Sequence, residues 1–219
     1  MDSEQRSEVR GAYERWARSY DETPNATRDL DAALLRSTFQ GEHLGDVLEP
    51  GCGTGKNTRW LTKRGRVTGL DFSAEMLRRC RDVAPQATLH EADLNEPWPV
   101  ADTSMDWVII SMVLEHIEKL EPIARECVRV LRANGQVRIT ELHPARQLLG
   151  KGARFQEEGR WVRPLTYTHT TEEYLAAFGE AGFRADGVRE ARAPNDALDK
   201  PPRLLTLTLS VSDAAHSGR

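Results

Sequence analysis

The chain reads as an α/β protein built on a doubly wound, mostly parallel sheet with helices on both faces and an antiparallel last strand. Three observations predict it. Short apolar runs alternate with helical patterns five times between Val47 and Glu141, the rhythm of β/α units. The run Asp106-Trp107-Val108-Ile109-Ile110-Ser111-Met112-Val113 is apolar almost throughout, as expected of a central parallel strand buried on both faces. The first strand, Val47 to Glu49, leads straight into Pro50-Gly51-Cys52-Gly53-Thr54-Gly55, a glycine-rich turn at the carboxyl edge where such sheets bind nucleotide-like ligands.

The elements follow in order. Val9, Tyr13, Trp16, Ala17 and Tyr20 share one helical face, Pro24-Asn25 breaks the pattern, and a second helix covers Asp29 to Phe39; together they make an N-terminal helical cap, residues 1–40. A core over 41–142 begins with the first strand and a helix from Thr54 to Arg64 that Gly65 ends. Arg66 to Asp71 is the second strand, Ser73 caps a helix through Met76, Leu77 and Cys80, and Thr88 to Asp93 is a weaker third strand. After the central run, an amphipathic segment from Leu120 to Leu131 stops at Asn134-Gly135, and Gln136 to Glu141 is the fifth strand.

From His143 to Thr170 the pattern is irregular. Gly150, Gly152, Gly159 and Pro164 separate Phe155, Trp161 and Tyr167, so 143–170 reads as a substrate-facing loop or lid. Thr170-Thr171-Glu172-Glu173 is a capping box for a helix that runs to Glu180 and ends at Gly182. Strands around Phe183 to Glu190 and Leu205 to Val211, joined through Pro194 to Pro202, complete residues 171–211, and 212–219 is expected to fray.

At 219 residues, with 39% hydrophobic and 29% charged residues, one domain with one core is expected. Arginines interleave with acids and the net charge is -4, which argues against a nucleic-acid partner. No apolar signal core opens the chain and no stretch approaches the ~18 apolar residues of a membrane span. Cys52, Cys80 and Cys127 are far apart, with no C-x-x-C pair for a metal or disulfide. A cytoplasmic protein, monomer or homodimer, with no metal and no membrane partner, is the expectation.

The glycines alternate at Gly51, Gly53 and Gly55, whereas the dinucleotide fingerprint needs a glycine where Lys56 stands. This argues against a dinucleotide-dependent oxidoreductase. Glu49, Asp71 and Asp93 end three successive strands at one edge, and Asp71 lies about 20 residues past the loop, where an acid accepts both ribose hydroxyls.

These residues, with Tyr13-Glu14-Arg15-Trp16-Ala17-Arg18-Ser19-Tyr20-Asp21, Gly69-Leu70-Asp71-Phe72-Ser73, Ala92-Asp93-Leu94, Val113-Leu114-Glu115-His116-Ile117 and Val130 to Gln136, resemble the class I S-adenosylmethionine-dependent methyltransferases, in particular the small-molecule branch related to quinone biosynthesis (methyltransferase type 11). The resemblance spans roughly Tyr13 to Gly182. It implies a seven-stranded Rossmann-like fold, S-adenosylmethionine as methyl donor with S-adenosylhomocysteine as product, and a small-molecule acceptor. It further implies that Gly51, Cys52, Gly53 and Gly55 hold the methionine part, with Glu49 near its ammonium and Ser111 beside it. Asp71 would bind the ribose; Phe72, Met76, Asp93 and Leu94 would meet the adenine; Tyr20 would close over the methionine.

The donor has no phosphate and carries a sulfonium and an ammonium, which a carboxylate rim suits better than a lysine clamp would. Transfer is an in-line displacement that needs neither metal nor covalent intermediate. Where the acceptor must lose a proton, His116, His143 and His169 are the candidate bases. Tyr20, Trp161 and Tyr167, with those histidines, are candidates for lining the acceptor pocket. The alternative from another class is an S-adenosylmethionine-binding regulatory domain without turnover.

Overall fold

The computed structural model describes residues 2–212. Helices α1 (Ser3–Trp16) and α2 (Ala26–Thr38) precede β1 (Gly45–Pro50), α3 (Thr58–Leu61), β2 (Gly65–Asp71), α4 (Ala74–Val83), β3 (Thr88–Glu91) and β4 (Met105–Ser111). A 3-10 turn at Leu114–His116 leads to α5 (Leu120–Val130), β5 (Leu131–Leu142), α6 (Pro144–Gln147), β6 (Phe155–Glu157), β7 (Arg160–Val162), α7 (Thr171–Glu180), β8 (Phe183–Ala191) and β9 (Leu204–Val211).

Seven strands form one sheet in the order β3-β2-β1-β4-β5-β9-β8, with β9 antiparallel to both neighbours and the first five strands parallel. The apolar run of β4 therefore lies at the centre and serves both faces. Val108 and Ile110 pack with Leu120, Ile123 and Cys127 of α5 and with Phe178 of α7, while Ile109 packs with Leu35 and Phe39 of α2 and Leu61 of α3. This two-sided burial explains why β4 is continuously apolar rather than alternating.

Three boundaries differ from expectation, and a fourth lies almost wholly outside the described residues. Asn25 does not break a helix but starts one: its side chain accepts from the Thr27 and Arg28 N–H groups at 3.0 and 3.1 Å, so α2 begins at Ala26. The segment 54–64 holds only the short α3, because Gly53 and Gly55 sit at φ +54° and +86° and helical bonding first reaches from Gly55 O to Arg59 N. Helix α5 ends at Val130 and residues 131–135 are already extended. Arg132 pairs there with Asp46 and Asp106 at 2.9 and 2.7 Å, and a register shift opposite Met105 and Trp107 absorbs the extra residues. The tail 212–219 falls outside the described residues except Ser212, whose N–H and hydroxyl both donate to Gly182 O.

The irregular segment contains α6 and the β6-β7 hairpin, whose Phe155 stacks on Trp16 of α1 with ring centroids 5.0 Å apart. Its last part is fastened to the 3-10 turn: the Tyr167 N–H donates to Glu115 O at 2.6 Å, and His169 Nε2–H donates to Ile117 O at 2.7 Å.

Candidate active site

The carboxyl ends of β1, β2 and β4 bring the glycine loop, Asp71-Phe72 and Ser111 to one edge. There they line a concave cleft of the kind that takes a small ligand. Gly51 at φ +72° turns the chain against Val113, and Gly53 at φ +54° faces open space, so a methyl there would point into the cleft. Gly55 faces away, toward Cys80 and Val83 of α4, and seats the loop on that helix.

Asp71 is buried at the end of β2 and accepts from the N–H groups of Gly53 and Ser73, both at 2.9 Å. Burial outweighs these bonds and raises its pKa to about 6. Phe72, Met76, Asp93 and Leu94 line the same cleft; Asp93 also caps Asn95 and meets Arg6 of α1 at 3.4 Å.

Around the loop's other side, a connected hollow is bounded by Glu49, Cys52, Ser111 and Tyr20, and also by Arg28 and Asp31 of α2. Glu49 is buried, accepts from Thr58 Oγ1 at 2.6 Å, and is pushed by burial to about 8. Asp31 is equally buried and its pKa is raised by burial; it takes Asn57 Nδ2 at 2.8 Å and lies 3.8 Å from the enclosed guanidinium of Arg138. Arg28 lies over the Tyr20 ring at 4.0 Å, and its Nε is buried without a hydrogen-bond partner.

A second, wider cleft opens beside the first and shares Tyr13, Tyr20 and Met112 with it. Met112 takes φ +51°, a conformation rare outside glycine, at the point where the two clefts meet. Trp161 lines this outer cleft, together with Trp16 and Glu115.

The three histidines are not brought together. His116 borders the inner cleft, but both its nitrogens are engaged: Nδ1 lies 2.8 Å from Leu165 O and Nε2 lies 2.7 Å from the Tyr13 hydroxyl. A carbonyl can only accept, so Nδ1 carries the proton and Nε2 accepts from Tyr13. His143 caps α6 by accepting the Ala145 N–H at Nδ1 and donates from Nε2 toward Glu190. His169 serves as the tether to Ile117. Neither His143 nor His169 lines either cleft, and Tyr167, with its backbone bonded to Glu115, lies outside them too.

Tyr13, Arg28, Asp31, Met112 and Glu115 are the site residues that sequence reasoning missed. Tyr13 reads in the sequence as a packing residue of the first helix; for Arg28 and Asp31 the available sign was their spacing on the cap helix, one turn apart and facing the core. Among the described residues no group of histidines, cysteines and acids gathers that could hold a metal ion.

The sheet order, with the last strand in sequence reversed and next to the edge, and with its ligand edge at the β1 and β2 carboxyl ends, is the architecture of class I methyltransferases. A model of the methyltransferase domain matches residues 48–139. The chain is 34% identical over 231 residues to a malonyl-[acyl-carrier protein] O-methyltransferase of Serratia marcescens, covering 100% of this chain and 83% of that protein. Two further enzymes of that name align over only 55% and 57% of their length. A DhpI-SAM-HEP complex superposes with a TM-score of 0.74 at 24% identity, over 95% of this chain and 99% of that one. The N-methyltransferase NodS of Bradyrhizobium japonicum, in complex with S-adenosyl-L-homocysteine, gives 0.69 at 16% identity over 93% and 98%. The protein belongs to the class I S-adenosylmethionine-dependent methyltransferases.

Proposed function

We propose that the protein transfers the donor's methyl group to a small-molecule acceptor by in-line displacement, the inner cleft holding the donor and the outer cleft the acceptor. The observation that carries this is the junction itself: two clefts share Tyr13, Tyr20 and Met112, so a donor in one and an acceptor in the other meet there.

The residues present fit the donor. Its amino-acid end bears an ammonium and a carboxylate; Glu49 and Asp31 suit the first, and the orphaned Nε of Arg28 suits the second. Gly51, Cys52, Gly53 and Ser111 border the same end, Tyr20 covers it, Asp71 faces the ribose, and Phe72, Met76, Asp93 and Leu94 enclose the adenine. Gly55 shapes the loop from behind. On the acceptor side Trp161 and the Tyr13–His116 pair form walls, while His143, Tyr167 and His169 hold the wall in place. The three buried free cysteines fit a reducing, cytoplasmic setting.

The test is a calorimetric titration with S-adenosylmethionine, followed by acceptor-dependent release of S-adenosylhomocysteine from metabolite pools; absence of binding would refute the reading. A pH signature is expected in the same titration. Glu49 and Asp71 have pKa values of about 8 and about 6 without the donor, so at pH 6 both are substantially protonated. An ammonium beside Glu49 and ribose hydroxyls on Asp71 favour the ionised forms, so binding expels protons and tightens as pH rises from 6 to 7.5, by at most about tenfold per unit for each proton released. Binding heats that do not vary with buffer ionisation enthalpy would remove Glu49 from the site.

A further inference from the structure

The outer cleft carries a charge that the rest of the chain does not. The protein has a net charge of -4, yet this cleft is lined by Arg28, Arg146, Lys151, Arg154 and Arg203 against one acid, Glu115. Arg146 and Arg203 share the single carboxylate of buried Asp196, which leaves the pair positive. Lys151 and Arg154 have no ion-pair partner among the described residues, and Arg154 lies over the Trp161 ring at 4.8 Å. A cationic cleft with low-dielectric aromatic walls concentrates anions.

Among the described residues no histidine lines this cleft, and the nearest, His116, borders the inner one. Both nitrogens of His116 are engaged, one of them by the Tyr13 hydroxyl. Burial raises the phenols, Tyr20 to about 12, so they stay protonated near neutral pH. Burial likewise pushes the Glu115 carboxyl up, toward its neutral form, and its Oε2 has no partner. A hydroxyl or ammonium acceptor would have to give up a proton, with Glu115 the one acid lining the cleft, whereas a carboxylate needs no base at all.

We propose that the acceptor is an organic carboxylate, drawn in by Lys151, Arg154 and the Arg146–Arg203 pair, and methylated on its own oxygen with no proton passed to the protein. This rests on the methyl-transfer reading above. An oxygen lone pair of the carboxylate forms the new O–CH3 bond as the S–CH3 bond breaks and its electron pair stays on sulfur. Anion and sulfonium become a neutral ester and a thioether, and the atoms and charges balance without a base. The ester has lost the charge that held it, so the cationic wall favours acid over product.

The test begins with donor binding, whose absence would fell the methyltransferase reading and this inference with it. With S-adenosylhomocysteine bound, the dissociation constants of phenylacetate, phenethyl alcohol and phenethylamine are then compared by ligand-observed NMR. Phenylacetate is expected to bind at least about tenfold more tightly than the other two. The double variant Lys151→Glu/Arg154→Glu, altered only at exposed side chains and checked by circular dichroism, is expected to erase that preference while donor affinity holds. Finally, with methyl-labelled donor and a metabolite extract, the label should be released as methanol by mild alkali. Donor binding intact with the amine or alcohol preferred, a preference that survives the double reversal, or label only in alkali-stable products would overturn the carboxylate acceptor and leave methyl transfer standing.

Discussion

Replacing Asp71 by alanine is expected to weaken S-adenosylmethionine binding by about 3–6 kcal/mol, a loss on the order of 10²–10⁴-fold. Two charge-assisted hydrogen bonds to the ribose, each worth roughly 1.5–3 kcal/mol, disappear together. The fold adds a second contribution, because the same carboxylate accepts the N–H groups of Gly53 and Ser73 and so sets both the loop and the start of α4. Asp71→Asn keeps an acceptor of the same shape and should fall between wild type and alanine. Calorimetry on folded protein decides the matter: unchanged affinity in Asp71→Ala would show that the ribose lies elsewhere.

Gly51→Ala is expected to cost about 2–5 kcal/mol of stability, read from urea denaturation. The added Cβ would stand 2.6 Å from Val113 Cγ2 and 2.7 Å from Val113 Cβ, an atom fixed to the backbone, in a residue held at φ +72°. Left-handed backbone costs an alanine about 1–2 kcal/mol, and overpacking typically another 1–3 kcal/mol. Gly53→Ala provides the contrast. Its Cβ would meet nothing within 4 Å, so it should lose about 1–2 kcal/mol of stability from backbone strain alone, but much donor affinity, since the methyl projects into the cleft. If Gly51→Ala melted like wild type, the close packing of the loop on Val113 would be wrong.

The inner cleft, proposed for the donor, was legible in the sequence because its lining is local. Gly51, Gly53, Asp71 and Leu94 each lie within a few residues of a strand end, so strand periodicity alone places them at one edge of the sheet. The acceptor half was not, because its features depend on contacts between distant segments. His116 looks like a base until Tyr13, 103 residues away, and Leu165, 49 residues away, occupy its two nitrogens. Arg28 and Asp31 read as ordinary helix positions, and only the docking of α2 over β4 and β5 buries them, leaving Arg28 Nε without a partner and setting Asp31 beside Arg138. The overlong helix after the loop has a similar origin: glycine at positive φ interrupts what composition alone would continue.

Helix α1 lines the inner cleft at the end proposed for the adenine, and the two ends of that helix are held by different forces. Toward its C-terminus Ala12 and Trp16 are buried, the latter against Phe155. Toward its N-terminus the ties are ion pairs at the solvent boundary, a half-buried one of Arg6 with Asp93 and exposed ones of Arg6 with Glu96 and Arg10 with Glu91. Pairs of that kind contribute roughly 0–1 kcal/mol each and weaken as ions screen them. The helix is thus built like a door with an apolar hinge and an ionic catch. Raising ionic strength is therefore expected to loosen that end of the helix first and leave the sheet undisturbed, which amide hydrogen exchange across residues 3–10 would report.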